Sequence, residues 1–169
     1  MVDCKWLPDF YEYPDWDNYK KYEERLYSFF TEKYLSKRLF FKGKQLKLRH
    51  SPKENNKIEA YFHLTCKNYT KKKNRDPNPD RMIRIEWPLA FMQNYICYED
   101  CCDEKPLYWI KQDSKGRTKH YIYFRSYLVI IEERKSYYLL ITGFYVEEDY
   151  YHMDLIKDYE DYQKAENAI

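Results

Sequence analysis

The 169-residue sequence contains only three glycines, and this shortage argues against several kinds of functional site. A phosphate-binding loop for nucleotides needs the run G-x-x-x-x-G-K-[S/T], because glycine lets the backbone approach the phosphates closely. A serine-hydrolase nucleophile elbow needs the run G-x-S-x-G. Neither run occurs in the sequence. P-loop nucleotide hydrolysis and serine-hydrolase chemistry are therefore not expected.

Paired metal-ligand spacings and long apolar runs are also missing. A structural zinc site needs four ligands, usually in paired spacings, and the chain has neither a C-x-x-C nor an H-x-x-x-H pair. We therefore expect no metal and no other cofactor. No apolar run is long enough to cross a membrane, and the first ten residues do not have the pattern of a signal peptide. We expect a cytoplasmic protein with reduced thiols and no membrane partner.

Aromatic residues and segregated charge are what the sequence has in abundance. The aromatic fraction is 20%, which supplies enough burial to argue against a disordered chain. The net charge is only +2, but residues 33–75 carry fourteen basic and two acidic side chains. Residues 147–169 carry two basic and eight acidic side chains. The basic segment indicates a polyanion as partner, although a solvated face neutralised by the acidic ends has the same composition.

The apolar spacing predicts an α+β fold. An amphipathic helix is predicted over residues 16–35, with Asp15 or Asp17 as its N-cap, and an acidic helix over residues 150–168. Strands are predicted where apolar and polar residues alternate or where β-branched and aromatic residues dominate, at residues 46–49, 58–66, 107–111, 118–125, 127–133 and 137–146. Short helices are predicted after Asp80 and from Pro88. We therefore predict N-terminal helices packed on a four- to six-stranded antiparallel sheet, followed by a C-terminal acidic helix.

One domain is expected over residues 1–169, because this length suits a single hydrophobic core. Within it we distinguish an N-terminal arm and helix over 1–35, a core over 36–146 and the acidic helix over 147–169.

The stretch from residue 58 to residue 88 carries the residues best suited to chemistry on a phosphate. In a strand over 58–66, His63 points away from the apolar residues and shares a face with Thr65 and Lys67. Metal-free RNA cleavage needs a group that exchanges protons near neutral pH, which histidine supplies, and cations that stabilise the phosphorane. Five residues offer such groups, namely His63, Lys67, Arg81, Arg84 and Thr142. Arg49 and the lysine tract Lys71, Lys72 and Lys73 are predicted to steer and hold the polyanion.

Four motifs in order resemble the barnase–EndoU–colicin–RelE-like superfamily of ribonucleases, in its phage- and toxin-associated branch. They are F-K-G-K-Q-L-K-L-R-H-S-P (residues 41–52), K-x5-H-L-T-x-K (57–67), R-D-P-N-P-D-R-x-x-R-I-x-W-P (75–88) and I-T-x-F-Y (141–145). The resemblance covers roughly residues 40–146. The segment before Phe40 has no counterpart in it.

The resemblance implies a helix packed on a four-stranded antiparallel sheet, with the active site on the open sheet face. It implies a metal-independent endoribonuclease that acts as a toxin or anti-phage effector on RNA, with tRNA and mRNA both candidates. Matched position by position, His63, Arg81, Arg84 and Thr142 are the catalytic candidates. Tyr145, which lies on the opposite strand face from Thr142, is a substrate-binding candidate. An antitoxin or immunity protein is the expected protein partner.

Two other functions fit the same residues. One is a non-catalytic RNA- or DNA-binding module, because a basic surface alone gives affinity without chemistry. The other is a protein-inhibitor module of a phage-related or defence locus, in which the basic segment meets an acidic protein.

Overall fold

The computed structural model describes residues 4–68, 75–98 and 103–168, and it has the predicted α+β fold. The helices are α1 (Tyr19–Phe30), α2 (Glu59–Thr65), α3 (Pro79–Met82), α4 (Trp87–Gln93) and α5 (Asp149–Asn167). The strands are β1 (Leu39–Phe41), β2 (Lys44–Lys47), β3 (Cys66–Lys67), β4 (Asp76–Pro77), β5 (Leu107–Gln112), β6 (Thr118–Phe124), β7 (Tyr127–Glu133) and β8 (Tyr138–Tyr145).

Six of these strands form one sheet in the order β1-β2-β8-β7-β6-β5. Strands β5 to β8 form the predicted antiparallel meander. The β1–β2 hairpin joins the free edge of β8 through a short parallel pairing, in which Leu46 lies opposite Tyr138. The turn of this hairpin is Lys42–Gly43, and both residues have positive φ, as a two-residue hairpin requires.

Two apolar clusters lie on opposite faces of the sheet. The larger one packs α1, α2 and α4 against side chains such as Ile122, Val129 and Leu140. The smaller one packs α5 through Leu155 against Trp109 and Leu128. The C-terminal acidic helix therefore covers the face that the other helices leave open.

The N-terminal helix follows from its sequence as predicted. Asp15 accepts a hydrogen bond from the amide of Asp17 and so caps the first turn, which is a 3₁₀ turn that leads into α1. The buried positions Tyr22, Leu26 and Phe30 recur every four residues along α1. A π-helical turn over Thr31–Leu35 extends the helix to the end of the predicted range.

The predicted strand over residues 58–66 is wrong, because residues 59–65 form helix α2. Every residue of α2 is buried, so the helix has no polar stripe and its sequence shows no helical period. The chance alternation of Ile58, Ala60, Phe62 and Leu64 imitates a half-buried strand. Asp80 is not the cap of α3 either, since the Asn78 side chain accepts the hydrogen bond from the amide of Arg81.

The N-terminal arm, residues 4–14, crosses the helical face of the molecule. The amide of Tyr11 donates to the carbonyl of Ile83 over 2.7 Å, and the indole of Trp87 donates to the carbonyl of Pro8 over 3.1 Å. The Trp6 ring packs against Phe91 and Phe124. The arm is therefore fixed beside the junction of α3 and α4, close to the predicted arginines.

Candidate functional site

Three of the predicted catalytic residues meet at the edge of strand β8, beyond the point where β2 stops pairing with it. The hydroxyl of Thr142 donates to the main-chain carbonyl of His63 over 2.7 Å. Nη1 of Arg81 lies 3.2 Å from the same carbonyl and 3.4 Å from the Thr142 hydroxyl. This carbonyl belongs to the last turn of α2, where it has no helical partner, so Thr142 and Arg81 satisfy it.

The His63 imidazole itself is buried, which corrects the prediction that it faces outward. The residue is 4% exposed, with Nδ1 3.0 Å from the carbonyl oxygen of Ile141 and Nε2 3.1 Å from a carboxylate oxygen of Glu59. Burial lowers the pKa of His63 below its usual value, and the acceptors Ile141 and Glu59 offset only part of that shift. The buried ring therefore bridges α2 and β8.

Glu59 links this histidine to an ion-pair chain that the sequence did not reveal. Arg75 donates to Glu59 over 2.6 Å and to Glu54 over 2.7 Å. Burial works to raise the pKa of Glu59, but Arg75 and His63 together hold the pKa below its usual value. The spacing of Glu59 and His63, four residues apart, would have indicated the contact if the segment had been recognised as a helix.

Arg84 lies on the other side of strand β8 from Arg81. The guanidinium of Arg81 lies 4.8 Å from the Phe144 ring, and that of Arg84 lies 4.6 Å from the Tyr145 ring. Because successive strand residues point to opposite faces, the two arginines hold the end of β8 from its two sides. Thr142 therefore contacts Arg81, whereas Tyr145 contacts Arg84.

Arg84 is buried, with only 9% of its surface exposed, yet its hydrogen bonding is incomplete. Its Nη1 donates to the carbonyl and the carboxylate of Asp80, at 2.8 and 3.2 Å. Its Nε has no hydrogen-bond partner. A buried donor without an acceptor is uncommon in native structures.

The predicted substrate-binding residues divide into three groups. Lys67 forms an ion pair with Glu147 over 2.9 Å, so its charge is already balanced within the chain. Arg49 is exposed and forms no ion pair within the described ranges. Lys71, Lys72 and Lys73 lie outside the described residues, so their steering role stays a prediction.

A basic groove of about 460 Å³ runs along the β1–β2 edge of the sheet. Its polar lining includes Lys37, Arg38, Lys47 and His50, and its apolar floor includes Leu46 and Leu48. Among the residues that the structure describes, no acidic side chain lines it. The groove can therefore hold a polyanion, in agreement with the charge of residues 33–75.

His120 forms a second buried network. Its Nδ1 lies 2.6 Å from the Tyr108 hydroxyl and its Nε2 lies 2.9 Å from Glu133. Lys44 contacts the same carboxylate at 3.3 Å. The neutral ring satisfies both contacts, because Tyr108 donates to Nδ1 while Nε2 donates to Glu133.

Comparison with protein-family models, characterised proteins and solved structures found no match for the chain. Across residues 4–68, 75–98 and 103–168, no group of three or more His, Cys, Asp or Glu side chains is arranged to hold a metal ion. No helix in those ranges is long and apolar enough to cross a membrane.

Proposed function

We propose that this chain is a metal-independent endoribonuclease that acts as a toxin or anti-phage effector in the cytoplasm. The observation that carries the proposal is the meeting of three distant segments at the end of β8. Residue 63, residues 81–84 and residues 142–145 belong to three of the four motifs that resemble ribonucleases. They lie within contact distance, through Thr142, Arg81, Arg84 and Tyr145.

The reaction needs the 2′-hydroxyl of one nucleotide to attack its own 3′-phosphate while the 5′-oxygen of the next nucleotide leaves. The 2′-hydroxyl loses a proton, the 5′-oxygen gains one, and a 2′,3′-cyclic phosphate forms. Arg84 keeps an Nε donor without a partner, and an arginine can donate two parallel hydrogen bonds to phosphate oxygens, which suits a phosphorane. The Tyr145 ring lies 4.6 Å from the Arg84 guanidinium, and its hydroxyl is the group that we assign to proton exchange.

In this proposal His63 positions other residues and does not act as the acid or base that the sequence predicted. Its ring bridges Ile141 and Glu59, and its carbonyl fixes Thr142 and Arg81. Substitution of His63 is expected to disturb the end of β8 even though the imidazole does not reach solvent.

The basic groove supports RNA as the substrate. Cations that line an acid-free groove release counterions when a phosphate backbone binds, which gives affinity for tRNA or mRNA without reading the sequence. The same surface suits an acidic antitoxin or immunity protein, which would neutralise it by competition with RNA.

The chemistry is tested on a panel of single-stranded RNAs incubated with the purified chain in EDTA. We expect cuts that leave 2′,3′-cyclic phosphate ends. An RNA with a 2′-O-methyl group at the cut nucleotide should stay intact, because it has no proton to lose at that oxygen. Cleavage of the 2′-O-methyl RNA at the same position, or products that carry a 3′-hydroxyl, would rule out this reaction.

A non-catalytic nucleic-acid-binding module is the second candidate, and the burial of His63 and Thr142 favours it. These two of the four matched catalytic residues are 4% and 2% exposed. In this case the chain binds the same RNA panel with salt-dependent affinity and yields no product. The panel therefore separates the two candidates in one experiment.

A further inference from the structure

A pocket of about 330 Å³ opens between the N-terminal arm, the junction of α3 and α4, and the turn between β6 and β7. We call it the arm pocket. Its lining includes Asp9 and Phe10 from the arm, Arg84 and Trp87 from the junction, and Arg125 from the turn. None of the contacts that hold Thr142 and Arg81 to the His63 carbonyl involves these residues.

Arg84 lines this pocket, and its guanidinium is incompletely hydrogen-bonded. Nη1 is used by Asp80, whereas Nε is buried and has no partner. The Nε–Nη2 edge of arginine donates two parallel hydrogen bonds, which fit two oxygens of a phosphate or carboxylate. An oxyanion in the arm pocket would complete the hydrogen bonding of a residue that is 91% buried, since its exposure is 9%.

Arg125 brings a second positive charge to the pocket wall from a turn of defined geometry. Arg125 and Ser126 have φ values of 47° and 60°, so β6 and β7 are joined by a two-residue hairpin turn of the primed kind. The side chain of Arg125 lines the same pocket as Arg84. Two guanidinium groups around one cavity favour a dianionic phosphate over a single carboxylate.

Aromatic rings stand beside the two arginines. Phe10 stacks on Trp87 with ring centres 5.5 Å apart and planes inclined by 16°, and it lies 4.7 Å from the Arg84 guanidinium. Phe10 is 56% exposed, so one side of this stack faces solvent. An exposed ring beside a phosphate site is the arrangement on which a nucleobase stacks.

We propose that the arm pocket binds one nucleoside monophosphate unit, with its phosphate on Arg84 and Arg125 and its base on Phe10. Asp9, the acidic residue of the lining, accepts hydrogen bonds from base amino groups or ribose hydroxyls and disfavours a second phosphate. That the natural occupant is a nucleotide of RNA rests on the proposed function. Binding of the isolated nucleotide does not depend on cleavage.

The test is calorimetric titration of the full chain with the four 5′-nucleoside monophosphates, with inorganic phosphate and the nucleosides as separate arms. We expect saturable binding of at least one nucleotide with Kd below about 1 mM. Phosphate alone and the nucleoside alone should each bind at least about tenfold more weakly, because each offers half of the contacts.

Two variants locate the site, and each has a matched control. Arg125→Asn removes the charge and keeps the left-handed turn, which asparagine tolerates, and Phe10→Ala removes the exposed ring. Each should weaken nucleotide binding by about tenfold. Lys157→Gln, at an exposed lysine of α5, and Tyr13→Ala, at an aromatic residue of the same arm that is 65% exposed, should leave it unchanged.

The results separate this inference from the proposed function. Nucleotide binding that depends on Arg125 and Phe10, in a chain that never cuts RNA, upholds the arm pocket and overturns the ribonuclease. RNA cleavage with no nucleotide binding below about 1 mM, or binding that Arg125→Asn and Phe10→Ala leave unchanged, overturns the arm pocket. Equal binding of phosphate and nucleotides would also overturn it, since the base would then contribute nothing.

Discussion

Thr142 joins the end of strand β8 to helix α2 through one hydrogen bond to the carbonyl of His63. The bond is 2.7 Å long and lies in a buried setting, where an unsatisfied carbonyl is costly. Arg81 shares the same carbonyl, so the loss of the hydroxyl leaves the acceptor partly satisfied. Thr142 therefore contributes to stability and also helps to position Arg81.

Thr142→Val should lower the free energy of unfolding by about 1 kcal/mol, because it removes the donor and keeps the side-chain shape. Urea denaturation measures the change, and the same preparation shows whether Arg81-dependent activity falls. Thr142→Ser keeps the hydroxyl and should restore the stability to within about 0.5 kcal/mol. Equal stability of Thr142→Val and the wild type would mean that this bond contributes nothing.

His63→Ala should now lower the melting temperature, in contrast to an exposed catalytic histidine, whose removal leaves it unchanged. The substitution deletes a side chain that bridges Ile141 and Glu59, and it leaves Glu59 buried with Arg75 as its remaining partner. Loss of about 2–4 kcal/mol is expected from the cavity and the lost contacts. Thermal melting of His63→Ala beside His50→Ala, an exposed histidine, measures the effect.

His120 should make the stability of the protein dependent on pH between neutrality and mild acid. Burial lowers the pKa of His120, and the charges of Lys42 and Lys44 also lower it, while Glu133 opposes them. The unfolded chain therefore takes up a proton near pH 6.5 that the folded chain does not. This contribution to stability is present above pH 6.5 and is lost as the pH falls below it.

We expect the free energy of unfolding of the wild type, measured by urea denaturation, to fall as the pH is lowered from 7.5 to 5.5. This group contributes up to about 1.4 kcal/mol per pH unit to the fall. His120→Gln should make the fall shallower and leave the part that comes from His63, whose pKa burial also lowers, whereas His50→Gln, at an exposed position, should not change it. A wild-type profile that is flat over this range, or one that rises toward acid, would contradict the assignment.

Helix α5 is tied to the sheet by its apolar face despite its acidic composition. Leu155 is 3% exposed and packs with Trp109 and Leu128, whereas Met153 is 72% exposed. Leu155→Ala should therefore cost about 2–4 kcal/mol of stability and Met153→Ala less than about 0.5 kcal/mol. Chemical denaturation of the pair measures this, and equal effects would show that α5 does not depend on this contact.

Among the helices and strands, the sequence predicted those whose residue pattern separates a buried face from an exposed one or favours one type of element. Helix α1 shows buried positions at four-residue steps, and strands β5 to β8 are rich in β-branched and aromatic residues, so both were identifiable. Helix α2 is buried on every side, so its sequence lacks the alternation of apolar and polar faces that predicts a helix. The parallel pairing of β2 with β8 joins residues about ninety positions apart, and no local pattern specifies it.

The candidate site was predictable as a set of residue types and not as an arrangement. Arg81 meets Thr142 at the end of β8, whereas Arg84 lies on the opposite face of that strand beside Tyr145. The partners of His63 and His120 were not predictable. The contact with Glu59 could be predicted only if α2 were recognised as a helix, and the contact with Glu133 only if the register of β6 against β7 were known. The N-terminal arm has no counterpart in the resemblance, so its approach to Arg84 is visible only in the structure.

In the whole molecule, the acidic helix α5 and the basic groove lie toward opposite edges of the sheet. Helix α5 packs beside β5, whereas the basic groove follows β1 and β2 at the far edge. Among the described residues, Lys37, Arg38, Lys42, Lys47, Arg49 and Lys53 form no ion pair with an acidic side chain. The acidic helix therefore leaves the groove open to a polyanion.

The affinity for single-stranded RNA should fall as the salt concentration rises, since groove cations release counterions from the phosphates. Removal of one groove charge, by Arg38→Gln or Lys47→Gln, should reduce the slope of log K against log salt by about 0.7. Lys157→Gln on α5 is the control and should leave the slope unchanged. The salt series by fluorescence anisotropy measures all three, and identical slopes would place the RNA elsewhere.

The most direct measurement is the rate of RNA cleavage in EDTA by the wild type, Arg84→Lys and Arg25→Lys. Lysine keeps the charge of Arg84 but lacks the bidentate edge, so the variant tests the geometry and not the net charge. We predict cleavage by the wild type, a rate at least about 100-fold lower for Arg84→Lys, and an unchanged rate for Arg25→Lys, with all three folded. No cleavage by the folded wild type, or equal rates for the wild type and Arg84→Lys, would contradict the proposed ribonuclease site at the end of β8.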